Sequence, residues 1–417
     1  MQLISFFRML GPGLLYAGAA VGVSHLVQST RAGADFGFEL IAILLLANAA
    51  KYPFFEFGPR YATATGESLI DGYARLGRWA LWLFALLTIG TMFSIQAAVT
   101  AVTAGIFSSV LAPHLAPQAA FAIILFINLL LLLSGRFSML DGLMKAVILL
   151  LTVSTVMAVA LSLGKGYHPD PALTQSFHWS VPAHLFFLIA FIGWMPAPID
   201  VSVWHSLWTI AKKDSLKTRI SLSQSLLDFR IGYIGTAVLA VGFLSLGALV
   251  MYGSGTSLDP RGAVFAGQLI AMYTESIGSW SYFLIAAAAL TTMLSTTLTC
   301  LDAYPRVMRP LSLALSGRPE SGISPANSYR LWMLIVAGGS LILFGLLGST
   351  MRFMVDLATT LSFITAPLLA WLNHRVIHGP NVPAEARPPR WLSIYSIAGI
   401  VFLTAFTLFY ILWNLTH

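Results

Sequence analysis

Of the 417 residues of this chain, 57% are hydrophobic and only 9% are charged, against roughly 25% charged in an ordinary soluble domain. No soluble fold hides that much apolar surface, and the charges fall between apolar runs that each approach the roughly 20 residues a helix needs to cross a hydrocarbon core. The expected fold class is therefore all-α, a polytopic membrane protein with the lipid bilayer as its main partner. The single cysteine, Cys300, excludes a disulfide framework and a thiolate metal cluster.

The first apolar run follows Met1 to Arg8 and passes residue 20 without a small-residue cleavage site, so it reads as a membrane span and not as a removable signal. Gly, Pro and charge punctuation give eleven spans, near 9–30, 38–58, 79–108, 119–134, 143–163, 182–210, 231–252, 278–301, 330–349, 353–373 and 391–415. The polar stretches between them, of which 58–78, 211–230 and 302–329 are the longest, are too short to fold alone, so residues 1–417 form one membrane domain. The segments from Arg60 to Arg78 and from Lys212 to Arg230 are expected to carry short surface helices.

With the N-terminus inside, the inside connectors hold Arg8, Arg60, Arg75, Arg78, Arg136, Lys145, Lys212, Lys213, Lys217, Arg219, Arg230, Arg306, Arg309, Arg318, Arg330, Arg375, Arg387 and Arg390. Arg31, Lys165, Arg261 and Arg352 fall outside, an 18-to-4 bias, with Lys51 left within a span. The positive-inside rule then predicts a cytoplasmic N-terminus and an outside C-terminus in a multi-pass cell-membrane protein, expected in a bacterial inner membrane. The net charge of +7 reads as topology and not as nucleic-acid binding.

Two spans contain residues that interrupt a helix. The first holds Gly11-Pro12-Gly13 and a small, polar stretch from Gly18 to His25, and the sixth holds Gly193-Trp194-Met195-Pro196-Ala197-Pro198-Ile199-Asp200. Backbone groups freed by such breaks are tolerated at membrane depth only where protein or a cavity receives them. The breaks head two five-span halves, 1–163 and 182–373, with 391–415 as an extra span. Because five is odd, the halves run oppositely, the inverted-repeat pattern in which half-helix ends meet around a solute.

Gly11-Pro12-Gly13-Leu14-Leu15, Ala32-Gly33-Ala34-Asp35-Phe36-Gly37, Ala64-Thr65-Gly66-Glu67-Ser68-Leu69, Met195-Pro196 and Leu294-Ser295-Thr296-Thr297-Leu298-Thr299 together resemble the Nramp family of proton-coupled divalent metal transporters. The resemblance implies a LeuT-type fold, with metal held by a first-span Asp-Pro-Gly-Asn motif and a sixth-span Met. Carried onto this chain, that motif falls on Gly22-Val23-Ser24-His25, the Met on Met195, and the family's His after Met-Pro on Ala197. The third span, Ala80 to Ser108, holds no Asp or Glu where the family has acids associated with proton movement. A metal site of the family's kind and its proton coupling are therefore both in question.

The candidate substrate-binding residues are Gly22, Ser24, His25, Met195, Pro196 and Asp200, with Met195, His25 and Asp200 as the metal-ligand candidates. A dehydrated dication needs anionic oxygen, which Asp200 would restore, although an acid opening a helix also serves as its cap. Ser24 is likewise a potential cap, His25 a potential packed histidine, and methionine a common filler of cores. Secondary candidates are Lys51 and Glu56, as an internal ion pair or gate contact, Ser202 or His205 in place of a family histidine, and Thr296, Thr299, Thr360 and Thr365 as neutral oxygen donors. Asp302 and Asp356, at span ends, are expected to be structural.

No phosphate loop or nucleophile elbow is present, so neither an enzyme nor a cofactor is expected. Three readings stay open: a secondary transporter of a metal cation, a transporter of another polar or anionic small solute on the same scaffold, and a non-transporting sensor or assembly factor.

Overall fold

The computed structural model describes residues 11–134, 137–216, 220–317, 324–347 and 350–416, and its side-chain detail excludes 137–148 and 215–216. Arg8, Arg136, Lys217, Arg219 and Arg318 therefore lie outside the described residues, as does the side chain of Lys145. No β-strand occurs among the described residues.

Span one is α1 (Pro12–Ala20), a π-wound turn (Ser24–Ser29) and α2 (Thr30–Phe36). α3 (Ile41–Thr65) is span two, α4 (Leu69–Leu76) is a short helix at its end, and α5 (Arg78–Leu111), α6 (Pro117–Leu133) and α7 (Phe137–Lys165) are spans three to five. Span six is α8 (Pro182–Gly193) plus α9 (Val201–Leu216). Then come α10 (Leu222–Val250), α11 (Gly262–Ile277), α12 (Tyr282–Ser316), α13 (Pro325–Leu347), α14 (Met351–Ile377) and α15 (Arg390–Thr416). Seven of these helices are individually long and apolar enough to cross a membrane. The chain is a multi-pass membrane protein.

The surface fits that solvent. Large apolar side chains such as Leu86, Phe126, Val238 and Leu346 are exposed, and Trp79, Trp179, Trp280 and Trp391 stand near helix ends, where indole rings favour a membrane interface.

Without a hydrophobic drive between helices in lipid, close backbone approach at small residues does much of the packing. A Cβ at Gly13 would lie 2.1 Å from the carbonyl oxygen of Asp228, and one at Gly33 1.9 Å from that of Leu244, so span one is pressed against α10 at two places. Span six is seated likewise: a Cβ at Gly58 of α3 would lie 2.3 Å from Ser202 O, and, within its own half, one at Gly193 would lie 2.0 Å from Thr359 O of α14. Each broken span thus lies on the long helix that follows the break in the opposite half.

The expected surface helix after Arg60 is present as α4. A reciprocal capping box joins Ser68 and Asp71, and Arg75, hydrogen-bonded to Glu67, holds that carboxyl below the usual carboxylate range. No separate helix forms between Lys212 and Arg230 among the described residues. There α9 runs on to Leu216 and α10 starts at Leu222 behind a Ser221–Gln224 capping box. A helix that the span reading passed over, α11, lies between spans seven and eight and buries Phe265, Leu269, Met272 and Tyr273.

Candidate functional site

The two breaks face one another in the interior, and their freed backbone groups are met in different ways. α1 begins with Pro12, and the Asp228 carboxylate on α10 accepts hydrogen bonds from Gly11 N at 3.2 Å and Gly13 N at 2.7 Å. This places an acid on the positive end of the helix dipole. α1 stops at Ala20. At the break, the Thr296 hydroxyl on α12 lies 3.1 Å from Thr292 O and 3.4 Å from both Gly18 O and Val21 O. A Cβ at Gly22 would sit 2.8 Å from Thr296 Oγ1 and Cγ2, so only glycine lets this hydroxyl approach.

Beyond the break, the Ser24 hydroxyl donates to Ala20 O at 2.6 Å and lies 2.7 Å from His25 Nδ1. His25 Nε2 is 2.9 Å from Thr236 O on α10, and because a carbonyl only accepts, Nε2 carries the proton. Nδ1 of this fully buried ring faces the Ser24 oxygen, whose single proton is shared between Ala20 O and Nδ1, and the ring is turned toward α10.

At the second break α8 ends at Gly193, the Met195–Pro196 peptide is cis, and α9 resumes after Asp200. Trp194 Nε1 donates to Ser362 Oγ on α14 at 2.8 Å. Lys51, fully buried on α3, directs its ammonium at Ile192 O (2.7 Å), Gly193 O (2.8 Å) and Ala197 O (3.5 Å). The backbone carbonyl of Asp200 accepts from Val203 N at 2.9 Å, and its carboxylate accepts from the Tyr304 hydroxyl at 3.3 Å.

Between the breaks is a small chamber of about 20 Å³, walled mostly by apolar groups including Val23, Ile95, Val99, Trp194 and Trp204. Its hydroxyl and sulfur groups come from Ser24, Thr296 and Cys300. Gly22 supports it through Thr296, whereas His25, Met195, Pro196 and Asp200 do not line it. Met195 is fully buried in an apolar cluster with Leu44, Phe191 and Phe363. Among the described residues, no three His, Cys, Asp or Glu side chains gather as a metal cage.

The secondary candidates separate into other networks. Glu56 accepts from Tyr52 at 2.5 Å and from Arg60 at 2.6 Å, with Arg230 at 3.5 Å, which ties α3 to α10. Ser202 Oγ accepts from Asn373 at 2.8 Å, while Thr365 donates to Ser362 O in its own helix. His205 is buried with neither nitrogen hydrogen-bonded, stacked on Tyr16 at 5.8 Å. The Thr360 hydroxyl is likewise buried without a hydrogen-bond partner, and Thr299 is buried off the chamber wall. Asp302 pairs with Arg306 at 2.7 Å, and Asp356 with Arg31 of span one, also at 2.7 Å.

Sequence reasoning missed Cys300 and Asp228 as contributors. Cys300 was within reach of pattern reading, since it stands four residues after Thr296 and so shares its helix face. Nothing local in the sequence relates Asp228 to Gly13.

Two broken helices enclosing a chamber, each seated on a helix of the opposite half, define the LeuT-type fold with inverted five-helix repeats. Residues 13–413 match the family described as natural resistance-associated macrophage protein-like, Nramp. An uncharacterized protein of Pasteurella multocida is 38% identical over 411 residues, covering 98% of this chain and 92% of that one. The divalent metal cation transporter MntH of Brucella suis is 36% identical over 90 residues, 21% of this chain and 19% of that one. The Eremococcus coleocola manganese transporter superposes with a TM-score of 0.69 at 15% identity, covering 98% of this chain and 87% of that one, a likeness of fold. The chain belongs to the Nramp family.

Proposed function

We propose that this protein is a secondary transporter that moves a metal cation by alternating access through the chamber between its first and sixth spans. The observation that carries the reading is the chamber itself: two helix breaks meet at it, and the Thr296 hydroxyl on its wall lies 3.4 Å from the carbonyls of Gly18 and Val21. Family membership supports the cargo class, as the Brucella suis relative is a divalent metal cation transporter by name. The donors are atypical for the family. Ser24, Thr296, backbone carbonyls and the Cys300 sulfur supply a neutral, partly soft set, which suits a late transition metal better than magnesium or calcium. Asp200, near the chamber but not on its wall, is the proposed source of anionic charge.

Purified protein in liposomes, challenged with manganese, iron, cadmium, magnesium and small organic solutes, tests this reading. Metal uptake that falls about tenfold or more in Asp200→Asn, the size of losing one charge-assisted contact, supports it. Metal flux equal to empty liposomes refutes it.

A second reading, transport of a small uncharged solute, is favoured by the absence of any carboxylate from the chamber wall. Saturable uptake of an organic solute, without metal flux, would select it.

A further inference from the structure

The sixth-span break contains a charge that the proposed transport route does not use. α8 stops at Gly193, its last helical turn closed only by a backbone bond from Met195 N to Ile192 O at 3.2 Å, and the negative end of the helix dipole is left inside the protein. Helix C-terminal ends and unwound carbonyls of this kind are where membrane transporters seat cations. Here the position is filled. The Lys51 ammonium has three N–H donors and no acceptor, and three carbonyls, those of Ile192, Gly193 and Ala197, surround it at 2.7, 2.8 and 3.5 Å.

Lys51 departs from the ordinary behaviour of lysine in a span, in which the stem lies along apolar surface and the head reaches the interface. Its side chain is fully buried and its head ends on interior backbone. Asp200 closes the same break, three residues after Ala197, and is itself buried. Carbonyl oxygens, a nearby carboxylate and a dry surround are the parts of a cation site, with an ammonium where the ion would be.

We propose that the sixth-span break is a cation site permanently occupied by the chain's own Lys51, and that Lys51 sets cargo specificity by withholding these carbonyls from an incoming ion. A transported cation then takes its neutral oxygen donors from the first-span side of the chamber, where Ser24 and Thr296 stand on the wall and the carbonyls of Gly18 and Val21 lie next to Thr296. This rests on the transport reading only for the consequence to cargo. The occupancy itself is a property of the resting protein.

The test is the thermal stability of the purified full-length protein in detergent, titrated with sodium, potassium, manganese or cadmium chloride against choline chloride at constant ionic strength. Lys51→Met keeps the apolar stem and removes the charge. It should gain a saturable, cation-dependent stabilisation with a half-saturation about tenfold or more below any response of the unaltered protein, and adding Asp200→Asn should reverse that gain. Identical titrations for Lys51→Met and the unaltered protein overturn the proposal.

If Lys51→Met does not fold, Lys51→Ala expressed and purified with propylammonium decides. Rescue by propylammonium and not by tetramethylammonium, which has no N–H to donate, supports the tethered cation; rescue by both or by neither overturns it. Because none of these readouts needs flux, a gain of cation response in a protein that moves no metal leaves this inference standing while the transport reading fails.

Discussion

Removing the charge of Arg31 should unlock the end of the molecule opposite α4. Arg31 sits on α2, 3% exposed, and donates from Nη1 to Asp356 Oδ1 at 2.7 Å on α14 and to Gln28 Oε1 at 3.0 Å. Its guanidinium also lies 4.8 Å from the ring centroid of Phe187 on α8. One side chain thus joins spans one, six and ten. In Arg31→Gln the Asp356 carboxylate, 12% exposed, keeps Gln28 Nε2, 3.4 Å from Oδ1, and Arg352, at 3.9 Å from its other oxygen. Breaking a buried pair by deleting one partner costs about 3–5 kcal/mol. With Gln28 and Arg352 offsetting part of that, about 2–3 kcal/mol is expected here.

If the open arrangement wets Asp356, the cost falls on the closed one, and the equilibrium moves toward opening by about 30- to 150-fold. Cys300, the one cysteine and 4% exposed on the chamber wall, reports it. Its reaction with a small membrane-impermeant thiol reagent, added from that face of oriented vesicles, should accelerate in proportion. Asp356→Asn should act in the same direction, and the exchanged pair Arg31→Asp with Asp356→Arg should recover part of the protection. Unchanged Cys300 reactivity in both single variants, alongside a lowered melting temperature, would show that the pair is a packing tie and that the reasoning about opening is wrong.

Three further outcomes are expected. Gly193→Ala places a Cβ 2.0 Å from Thr359 O and should cost about 3 kcal/mol or more, whereas Gly90→Ala and Gly338→Ala, with nothing within 4 Å, should be neutral or raise the melting temperature. Eleven spans put the two termini on opposite faces, with the N-terminus on the side of the basic connectors; tags at both ends reachable from one face would contradict the count. Proton coupling should be weak or absent, because α5 carries no Asp or Glu along Arg78–Leu111, and substrate-driven acidification of vesicles holding a pH dye would refute this.

The fold was legible because its causes are local. A run of apolar residues near the width of a bilayer, and Gly or Pro where a helix must stop, are read from neighbours in sequence, and both breaks fall where those residues stand. α11 escaped because its 16 residues are fewer than a span needs and it lies between two stronger runs. Side-chain direction was less legible. His25 and Ser24 are adjacent in the broken stretch, yet Ser24 faces the chamber while His25 turns to Thr236, 211 residues away. Lys51 was singled out as an internal charge, but its partners are carbonyls 141 to 146 residues distant, and backbone acceptors leave no mark in a sequence.

That difference separates the backbone symmetry of the fold from its chemistry. Inverted repeats place two helix breaks in equivalent positions, and a symmetric protein would answer both in the same way. Here the first break is met by a neutral hydroxyl, Thr296, and the second by the amine head of Lys51, the tethered cation proposed above. A hydroxyl can turn away and leave Gly18 O and Val21 O to a passing ion at the cost of weak hydrogen bonds, whereas an ammonium cannot leave a dry carbonyl cradle without first being resolvated or paired. Exchange with cargo is therefore cheap on the first-span side and costly on the sixth-span side. On the proposed transport reading, the same asymmetry fits a chain that keeps two breaks while lacking the first-span acid: Asp200 then has Lys51 to balance first and an arriving cation second.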